Sequence, residues 1–293
     1  MKIAVFGRTI DPQWMPRPIQ VLDYVEKRGV SLVWFEPFYR FLHEKMHGSL
    51  RSSATFSLQT GLPEDCDLLL NFGGDGVFLE SLLFVKERPV PVVGINYGRL
   101  GFLASVGSDS FHECLDRLIS GNYSIEKRSV LEASSPLLPP NFFPFALNEC
   151  ALHRKNPEVL AITVHLQTVA LPTYWADGLI VASPTGSTAY SLSVGGPVVF
   201  PSADVLVVAP IAPHNLNMRP IVIPDNEEIT VSAQGRTEEV VLTLDNRAAS
   251  FPCGSEVAIR RAPFDFHYVS LQGQHFISAL HEKLLWGFDK RNG

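Results

Sequence analysis

The sequence predicts a two-domain fold, an α/β domain at the N-terminus followed by a β-rich domain. Up to about residue 120, short apolar runs alternate with helix-compatible segments, which is typical of a parallel sheet covered by helices on both faces. After Gly121 the apolar runs are short and separated by Pro, Gly and Asn turns, which favours a β-sandwich. A length of 293 residues also suits two domains.

The N-terminal elements follow from apolar periodicity and turn residues. Strands are predicted over residues 3–6, 30–35, 67–72 and 90–95. Helices are predicted over 19–28, which ends at Gly29, and over 77–86 and 111–119. Residues 40–59 show little periodicity, and either a mobile flap or an ordinary surface loop fits them.

The C-terminal half predicts strands over 124–133, 146–153, 161–169, 178–182, 205–209, 228–233, 240–244 and 256–261. The last segment, 276–287, has helical spacing. Because a lone helix cannot form a domain, we expect it to pack back on the first one. The predicted domains are therefore 1–121 with 270–293, and 122–269.

Composition excludes several classes of protein. The formal net charge is -6 and no lysine- or arginine-rich run stands out, which argues against nucleic-acid binding. No apolar stretch approaches 18 residues and no signal peptide is recognisable, so we expect no membrane association and a cytoplasmic location. The four cysteines are too scattered for a zinc site, so we expect reduced and mostly buried thiols.

The motif Gly73-Gly74-Asp75-Gly76 follows a predicted buried strand and precedes a helix. Glycines at that edge of a parallel sheet let the backbone approach a phosphate, and the first amides of the helix favour an anion. A carboxylate there would repel a phosphate unless it accepts a proton from an attacking hydroxyl or meets phosphate through a magnesium ion. The alternative is a plain turn in which Asp75 caps the helix.

Other phosphate motifs are missing. The chain has neither G-x-x-x-x-G-K-[ST] nor the ordered G-x-G-x-x-G of dehydrogenases. A second polar stretch, 183–193, carries six serine and threonine hydroxyls directly after an apolar strand. These hydroxyls suit an uncharged polar contact with a ligand, or else they only shape a turn that caps a helix.

In order along the chain, these motifs resemble those of the NAD kinase family. The matching stretches are Gly73-Gly74-Asp75-Gly76, Gly94-Ile95-Asn96 with Gly98, Leu100-Gly101-Phe102-Leu103, Asn148-Glu149, Asp177-Gly178, Thr185-Gly186-Ser187-Thr188-Ala189-Tyr190, Gly195-Gly196-Pro197, and Pro213-His214 leading to Arg219-Pro220. The tetrapeptide occurs in other kinases, whereas the ordered set is specific.

The resemblance implies a Rossmann-like N-terminal domain, a β-rich C-terminal domain and a last helix that returns to the first. It implies transfer of the terminal phosphoryl group of ATP, or in some members of polyphosphate, to the 2′-hydroxyl of the adenosine ribose of NAD. The product is NADP. It further implies a divalent metal, usually Mg²⁺, and a homodimer or homotetramer.

By position, the resemblance implies that Asp75 is the general base and that Gly73, Gly74 and Gly76 form the phosphate turn. The residues that it places at NAD are Asp75, Gly76, Asn148, Glu149, Asp177, Thr188, Ala189, Tyr190, Ser191, Leu192, Ser193 and Arg247. Phe102 either stacks near the adenine or belongs to the core. Arg219 is either structural or a ligand or subunit contact.

The chain departs from the family pattern at Asp245-Asn246-Arg247, where many members carry Asp-Gly. Asparagine tolerates a left-handed backbone, so we expect the turn to persist. Arg247 then either reaches a ligand phosphate or lies on the surface.

A lipid or sphingoid kinase is the rival enzyme, and a non-catalytic NAD or NADP sensor is the rival binder. The hydroxyl-rich stretch favours a polar dinucleotide over a lipid. The presence of Asp75 favours an enzyme over a sensor. The donor range, the choice between NAD and NADH, and inhibition by NADP or NADPH are open.

Overall fold

The computed structural model describes residues 1–14, 18, 20, 24–25, 27–46, 53–96, 101–104, 106–107, 111–271 and 276–287. By its contacts the chain divides into unit 1, Met1–Glu126 with His267–Gly293, and unit 2, Lys127–Phe266. The limits 121/122 and 269/270, as boundaries of domains, stay a prediction. Half of the predicted helix 19–28, part of the segment 40–59 and the family-motif residues Gly98 and Leu100 lie outside the described residues.

Unit 1 contains a parallel sheet whose strands are β1 Lys2–Gly7, β2 Ser31–Phe35, β3 Ala54–Phe56, β4 Leu68–Phe72, β5 Val92–Asn96 and β6 Val106–Gly107. The order is β5-β4-β1-β2-β3, with β6 and Tyr268 also paired parallel to β5. Every residue of β4 and β5 is buried, as expected for strands covered on both faces. The predicted parallel sheet is confirmed.

This strand order places a topological switch between β1 and β4. From β1 the chain moves outward to β2 and β3, then returns to the other side of β1 through β4 and β5. Gly7 pairs with Phe72, so the two strands end at the same level of the sheet. In open sheets of this kind, ligands bind in the crevice at the carboxyl ends of the strands beside the switch. The motif that begins at Gly73 directly follows β4.

The helices of the first part of unit 1 are α1 Glu36–Lys45, α2 Asp75–Leu79, α3 Leu82–Val85 and α4 Phe111–Ile119. The helix predicted over 77–86 begins earlier, at Asp75, and is broken in two. The buried Asn71 amide donates to the Val77 carbonyl oxygen at 3.0 Å and to Ser81 Oγ at 2.8 Å. The Ser81 N–H turns to the carbonyl oxygen of Phe78 instead, which tightens the helix there.

The strands from β7 onward are β7 Ser124–Ser134, β8 Phe145–Ala146, β9 Glu149–Arg154, β10 Leu160–His165, β11 Tyr174–Ala176, β12 Gly178–Ala182, β13 Val205–Ile211, β14 Ile221–Pro224, β15 Ile229–Gln234, β16 Glu239–Leu244, β17 Arg247–Pro252 and β18 Glu256–Ser270. A 3₁₀ turn at Thr185–Thr188 and α5, Tyr190–Ser193, follow β12.

Unit 2 is a sandwich of antiparallel strands. One sheet has the order β14-β13-β12-β9-β16-β17, and the facing strands run β11-β10-β15-β18. One buried cluster joins the two layers, with Leu152 and Val181 from the first and Ile162 and Val231 from the second. The alternating burial of β10, β15 and β16 agrees with one core face and one outer face per sheet. The predicted β-rich domain is confirmed.

The last helix, α6 Phe276–Leu284, belongs to unit 1, as predicted, and buries Leu280 there. The four cysteines are free thiols, and three of them are buried. Over the described part of the chain, no helix is both long and apolar enough to cross a membrane.

Candidate active site

The glycine turn lies at the carboxyl end of β4, beside the switch point. Gly73 donates its N–H to the carbonyl oxygen of Ile95 at 3.0 Å, and an atom in its Cβ position would lie 2.7 Å from the Cβ of Val77. Gly74 is extended and precedes α2, whose first residue is Asp75. A Cβ atom added at Gly74 or at Gly76 would have no neighbouring atom within 4 Å. The turn therefore presents bare backbone on its outer side.

The Asp75 carboxylate is held by three consecutive backbone amides. Oδ2 accepts from the N–H of Phe102 at 2.7 Å, and Oδ1 accepts from Leu103 and Ala104, each at 2.9 Å. The interpretation of Asp75 as a helix cap is wrong, because Gly74 occupies that position and no side chain caps α2. Of about four lone-pair positions on a carboxylate, the described residues use three, and one on Oδ2 remains that can accept a proton.

The segment 101–104 fits tightly against this carboxylate. An atom in the Cβ position of Gly101 would overlap the Asp75 carboxylate, and one at Gly94 would lie 2.7 Å from the Cα of Ala104. These two glycines explain why the motif around β5 is glycine-rich: side chains there would separate the segment from the turn. Sequence inspection recorded both glycines as family motif residues without finding this contact.

A lysine of the last helix adds a positive charge to this part of unit 1. The Lys283 Nζ lies 4.6 Å from the centre of the Phe102 ring, and Phe102 is only partly buried. Burial lowers the pKa of Lys283, while the negative charges of Asp75 and Glu282 act in the opposite direction. Phe102 is therefore not a core residue, and its place at the adenine stays a prediction. No motif in the sequence pointed to Lys283.

In unit 2 a second aspartate holds a second backbone segment. The buried Asp245 carboxylate accepts from the amides of Leu147 at 2.9 Å, Asn148 at 2.8 Å and Glu149 at 3.3 Å. This explains why the strand predicted over 146–153 is interrupted before β9. The left-handed residue of the turn is Asp245, with φ 51°, and not Asn246 as expected. Aspartate tolerates this conformation nearly as well as asparagine.

The pair Asn148 and Glu149 is buried in this held segment. The pKa of Glu149 is raised to about 8, mainly by burial and then by the charge of Asp245, while the backbone N–H of Tyr190 acts in the opposite direction. Burial also raises the pKa of Asp245, which its three amides oppose. Oε2 of Glu149 is buried and has no hydrogen-bond partner among the described residues. A neutral Glu149 is thus a potential hydrogen-bond donor to a ligand.

The hydroxyl-rich stretch is used in part by the protein itself. Ser183 Oγ donates to the carbonyl oxygen of Leu147 at 2.6 Å, and Ser187 Oγ bonds to both backbone groups of Val199. Thr188 donates to the carbonyl oxygen of Thr185 at 3.4 Å. Two hydroxyls, of Thr185 and Ser191, are buried without a partner in the described structure. The stretch therefore has a structural role, and its predicted contacts with NAD stay a prediction.

Tyr190 forms a flat aromatic surface with a histidine that sequence inspection missed. The rings of Tyr190 and His153 are stacked, with centres 5.7 Å apart and planes at 14°. Tyr190 is 38% exposed, whereas burial lowers the pKa of His153. His153 Nε2 lies 3.2 Å from Thr243 Oγ1. A partly exposed, supported ring of this kind suits stacking with a base or another planar group.

Asp177 lies near the other end of β9. Its carboxylate pairs with Arg154 Nη1 at 2.8 Å and lies 3.8 Å from His214 Nε2. Glycine is required at the next residue, because a Cβ on Gly178 would overlap the carbonyl oxygen of Leu152. Glu149 and Arg154 are the first and last residues of β9, which separates them by about 17 Å at the usual rise of a strand. Arg154 was not found from the sequence.

Two arginines are bound by backbone carbonyls. Arg247 donates to the carbonyl oxygens of Leu244 and Phe143, each at 3.2 Å, and also to that of Phe145. Arg219 is exposed and donates to the carbonyl oxygens of Leu216 and Met218. Arg247 is therefore partly buried and not a solvated surface arginine. A contact of Arg247 with NAD stays a prediction.

A resident metal does not fit this donor set. In the part of the chain that the structure describes, no three His, Cys, Asp or Glu side chains converge on one point. Asp75, the one carboxylate at the turn, already accepts three hydrogen bonds. Mg²⁺ is commonly held by one or two carboxylates together with substrate phosphates. A divalent ion in this protein would thus belong to the nucleotide more than to the chain.

Comparison with known proteins matches both units. The profile of the ATP-NAD kinase N-terminal domain matches residues 3–123, and that of the C-terminal domain matches residues 147–271. Among curated relatives, NAD kinases of Christiangramia forsetii and Flavobacterium psychrophilum are 39% and 38% identical over the whole of both chains. One of Bacteroides fragilis is 36% identical over 99% of this chain and all of its own.

Two solved structures have a similar fold. Yeast NADH kinase complexed with NADH has a TM-score of 0.85 and 22% identity, covering 98% of this chain and 88% of its own. An NAD kinase from Archaeoglobus fulgidus in complex with ATP has a TM-score of 0.76 and 24% identity, covering 97% and 99%. At these identities the likeness shows the fold alone.

A Gly-Gly-Asp-Gly turn at the switch point of a parallel sheet, in a chain with an antiparallel β unit, is typical of a phosphotransferase. The matches to both domain profiles and to full-length relatives are then decisive. The chain belongs to the NAD kinase family, as the ordered motifs predicted, and its substrates are ATP and NAD.

Proposed function

We propose that this chain transfers the terminal phosphoryl group of ATP to the 2′-hydroxyl of the adenosine ribose of NAD, with Asp75 as general base. The observation that carries the proposal is the set of hydrogen bonds that holds the Asp75 carboxylate. Three amides fix it at the carboxyl edge of the sheet, and among the described residues nothing occupies the second lone-pair position of Oδ2, which can take a proton. A fixed base beside bare backbone is what an in-line attack on a phosphate requires.

In the proposed step, the 2′-oxygen forms a bond to the γ-phosphorus of ATP, and the bond from that phosphorus to the β,γ-bridging oxygen breaks. ADP leaves with the electron pair of that bond. The hydroxyl proton moves to Oδ2 of Asp75. In the turn Gly73–Gly76, the Gly73 N–H is bonded to Ile95, so the later amides of the turn and the start of α2 would offset the charge of the phosphates. A divalent ion, most simply Mg²⁺ carried by ATP, would neutralise further charge.

NAD is proposed to bind the outer face of unit 2. Its polar groups would meet Asn148 and Glu149 at one end of β9 and Asp177 at the other, and Tyr190 would stack on a ring. Only an extended ligand spans both ends, which supports a dinucleotide. The remaining proposed contacts are Gly76, Thr188, Ala189, Ser191, Leu192, Ser193 and Arg247.

We further propose a homodimer or homotetramer in the cytoplasm. Four free thiols agree with a reducing compartment. The exposed apolar side chains of Trp175 and Leu216 in unit 2 agree with an interface between copies.

The test incubates purified protein with NAD, ATP and Mg²⁺, and measures NADP with an NADP-specific dehydrogenase. NADP must form and ADP must appear in equal amount. Binding of NAD without ADP formation would indicate a sensor. Phosphorylation of a lipid or sphingoid base in place of NAD would indicate the rival kinase. A folded protein that forms no NADP contradicts the proposal.

Reaction of [2′-deoxyadenosine]-NAD in the same assay tests the acceptor atom. This analogue lacks the proposed nucleophile, so we expect no phosphorylated product although it competes with NAD for binding. Phosphorylation of the analogue would move the acceptor to another hydroxyl.

A further inference from the structure

Lys283 is a charged group close to the segment that holds Asp75, and the proposed reaction does not use it. Its Nζ lies 4.6 Å from the centre of the Phe102 ring, and the backbone N–H of that residue donates to Asp75. The helix α6 that carries Lys283 comes from the far end of the sequence but belongs to unit 1. The chain therefore brings one lysine from its C-terminal part to the segment that holds Asp75.

The surroundings of this ammonium group are unusual for a lysine. Among the described residues, neither a carboxylate nor another hydrogen-bond acceptor lies within bonding distance of Nζ, although Asp75 and Glu282 act on it electrostatically. The side chain is partly buried, and an aromatic face lies beside its charge. An aromatic face attracts a cation but accepts no ordinary hydrogen bond. The three N–H donors of Lys283 thus have no acceptor among the residues that the structure describes.

We propose that the Lys283 ammonium binds a phosphate oxygen of a nucleotide at the Asp75 turn, with the Phe102 ring fixing its position. The proposal rests on the proposed function, because that function brings phosphates to the turn. A lysine binds phosphate as a compact positive charge, and desolvation strengthens such a contact. The triphosphate of ATP and the pyrophosphate of NAD offer the same chemistry, and the experiment separates them.

The lysine also offsets a difficulty at the turn. Asp75 carries negative charge at the place where phosphates are expected, and the Gly73–Gly76 backbone contributes only partial positive charge. Phe102 connects the two groups, since its amide holds Asp75 and its ring faces Lys283. A full positive charge here would lower the repulsion between Asp75 and an incoming phosphate. Lys283 thereby allows base and phosphate to be close together.

The test compares wild type with Lys283→Met and Lys283→Arg by isothermal titration with ATP, NAD and adenosine, each alone and without turnover. Loss of a charged hydrogen bond should weaken binding of ATP by about 10- to 100-fold in Lys283→Met. Adenosine, which has no phosphate, should bind all variants equally. Lys283→Arg should restore most of the affinity, because arginine also stacks on rings and binds phosphate. Weakened NAD binding with unchanged ATP binding would assign the contact to the NAD pyrophosphate.

Lys45→Met, at an exposed lysine of α1, is the matched control and should bind like wild type. Equal ATP and NAD affinities in wild type and Lys283→Met would overturn the proposal. So would an equal loss for adenosine with a lowered Tm and no rescue by arginine, which indicates a structural lysine. If wild type forms no NADP but its ATP affinity depends on Lys283, the proposed function fails and this contact stands.

Discussion

The backbone of Gly101 lies directly against the carboxylate of Asp75. An atom in the Cβ position of Gly101 would lie 2.7 Å from Oδ2 and nearer still to Oδ1. The following three amides then donate to the same carboxylate. The proposed base is thus positioned by a segment that contributes no side chain to it, and the absence of a side chain at residue 101 is part of the site.

Gly101→Ala should therefore lower activity by moving Asp75. A displacement of a reacting group by about 1 Å costs about 10²-fold in rate, so we expect kcat to fall by at least that factor. The measurement is steady-state NADP formation, with far-ultraviolet circular dichroism to verify folding. Activity within about threefold of wild type would contradict this prediction. It would show that residues 101–104 adjust to the added methyl group without moving Asp75.

The same contact predicts non-additive stability. Gly101→Ala should destabilise the wild type, since a methyl group overlaps the carboxylate, but should cost less in an Asp75→Ala background, where the carboxylate is gone. Contacting residues usually couple by about 0.5–3 kcal/mol in such cycles. The measurement is urea unfolding of the four proteins of the cycle. Strictly additive changes would contradict the contact.

Asp75→Asn should lower kcat by about 10²–10⁴, the usual contribution of a general base, with NAD binding largely kept. The amide cannot take the proton, and its NH₂ group would meet one of the N–H donors of residues 102–104. Turnover is measured by NADP formation and binding by titration with NAD. Asp65→Asn, at an exposed aspartate of the same unit, serves as control and should react like wild type. Near wild-type turnover in Asp75→Asn would refute the assignment.

Glu149 should make the stability of the protein depend on pH. Its pKa is raised from 4.5 to about 8 in the folded state, mainly by burial and then by Asp245. Between these values the unfolded chain has lost the proton and the folded chain retains it, so stability decreases as pH rises. The contribution is complete below about pH 4.5 and lost above about pH 8.

Glu149→Gln removes this titration. Relative to the variant, the free energy of unfolding of the wild type should fall by about 1 kcal/mol per pH unit across that window. The measurement is urea unfolding of both proteins at pH 5, 6, 7 and 8. Parallel pH profiles of the two proteins would contradict a raised pKa. If the wild type instead gained stability relative to the variant as the pH rises, the pKa of Glu149 would be lowered in the folded state and not raised.

The sequence predicted the layers of the fold well because apolar periodicity records burial directly. The strand β12 is a continuous apolar run and β4 is apolar except for Asn71, and both were located to within a residue. The prediction did less well where a side chain bonds to a distant backbone. Asn71 breaks the helix after the turn, and Asp245 interrupts the strand before β9. Neither effect leaves a periodic signal, because each depends on one polar side chain that bonds outside its own strand or turn.

The residues of the candidate site also divide into those that sequence motifs identified and those that they did not. Motifs identified Asp75, Asn148 and Glu149, because these residue types occur in a recognisable order. Lys283 and His153 were missed, since a single lysine in a helix and a single histidine in a strand have no distinguishing pattern. Lys283 is distant in sequence from Phe102, and His153 is distant from Tyr190. Only the folded chain brings the lysine to its aromatic ring and the two rings of the second pair together.

Asp245→Asn tests whether the second held segment serves NAD. Asparagine offers one carbonyl oxygen to amides that now share a carboxylate, and its NH₂ group would face an N–H donor of Leu147 or Asn148. An unsatisfied buried group costs about 1–3 kcal/mol, so Tm should fall. Because the segment carries Asn148 and Glu149, the KM for NAD should rise by about tenfold, whereas the KM for ATP should change little.

Glu239→Gln is the control for this variant, since Glu239 begins β16, the strand that precedes Asp245, and its exposed side chain pairs with Lys155. It should match wild type in both constants. A purely structural Asp245 would lower Tm and leave the KM for NAD unchanged at a temperature where the variant is folded. A rise in the KM for ATP equal to that for NAD would show that the segment supports the whole fold and not the NAD side. Only a selective rise for NAD makes Asp245 a positioning residue, because a general loss of folded protein lowers the amount of active enzyme without changing either constant.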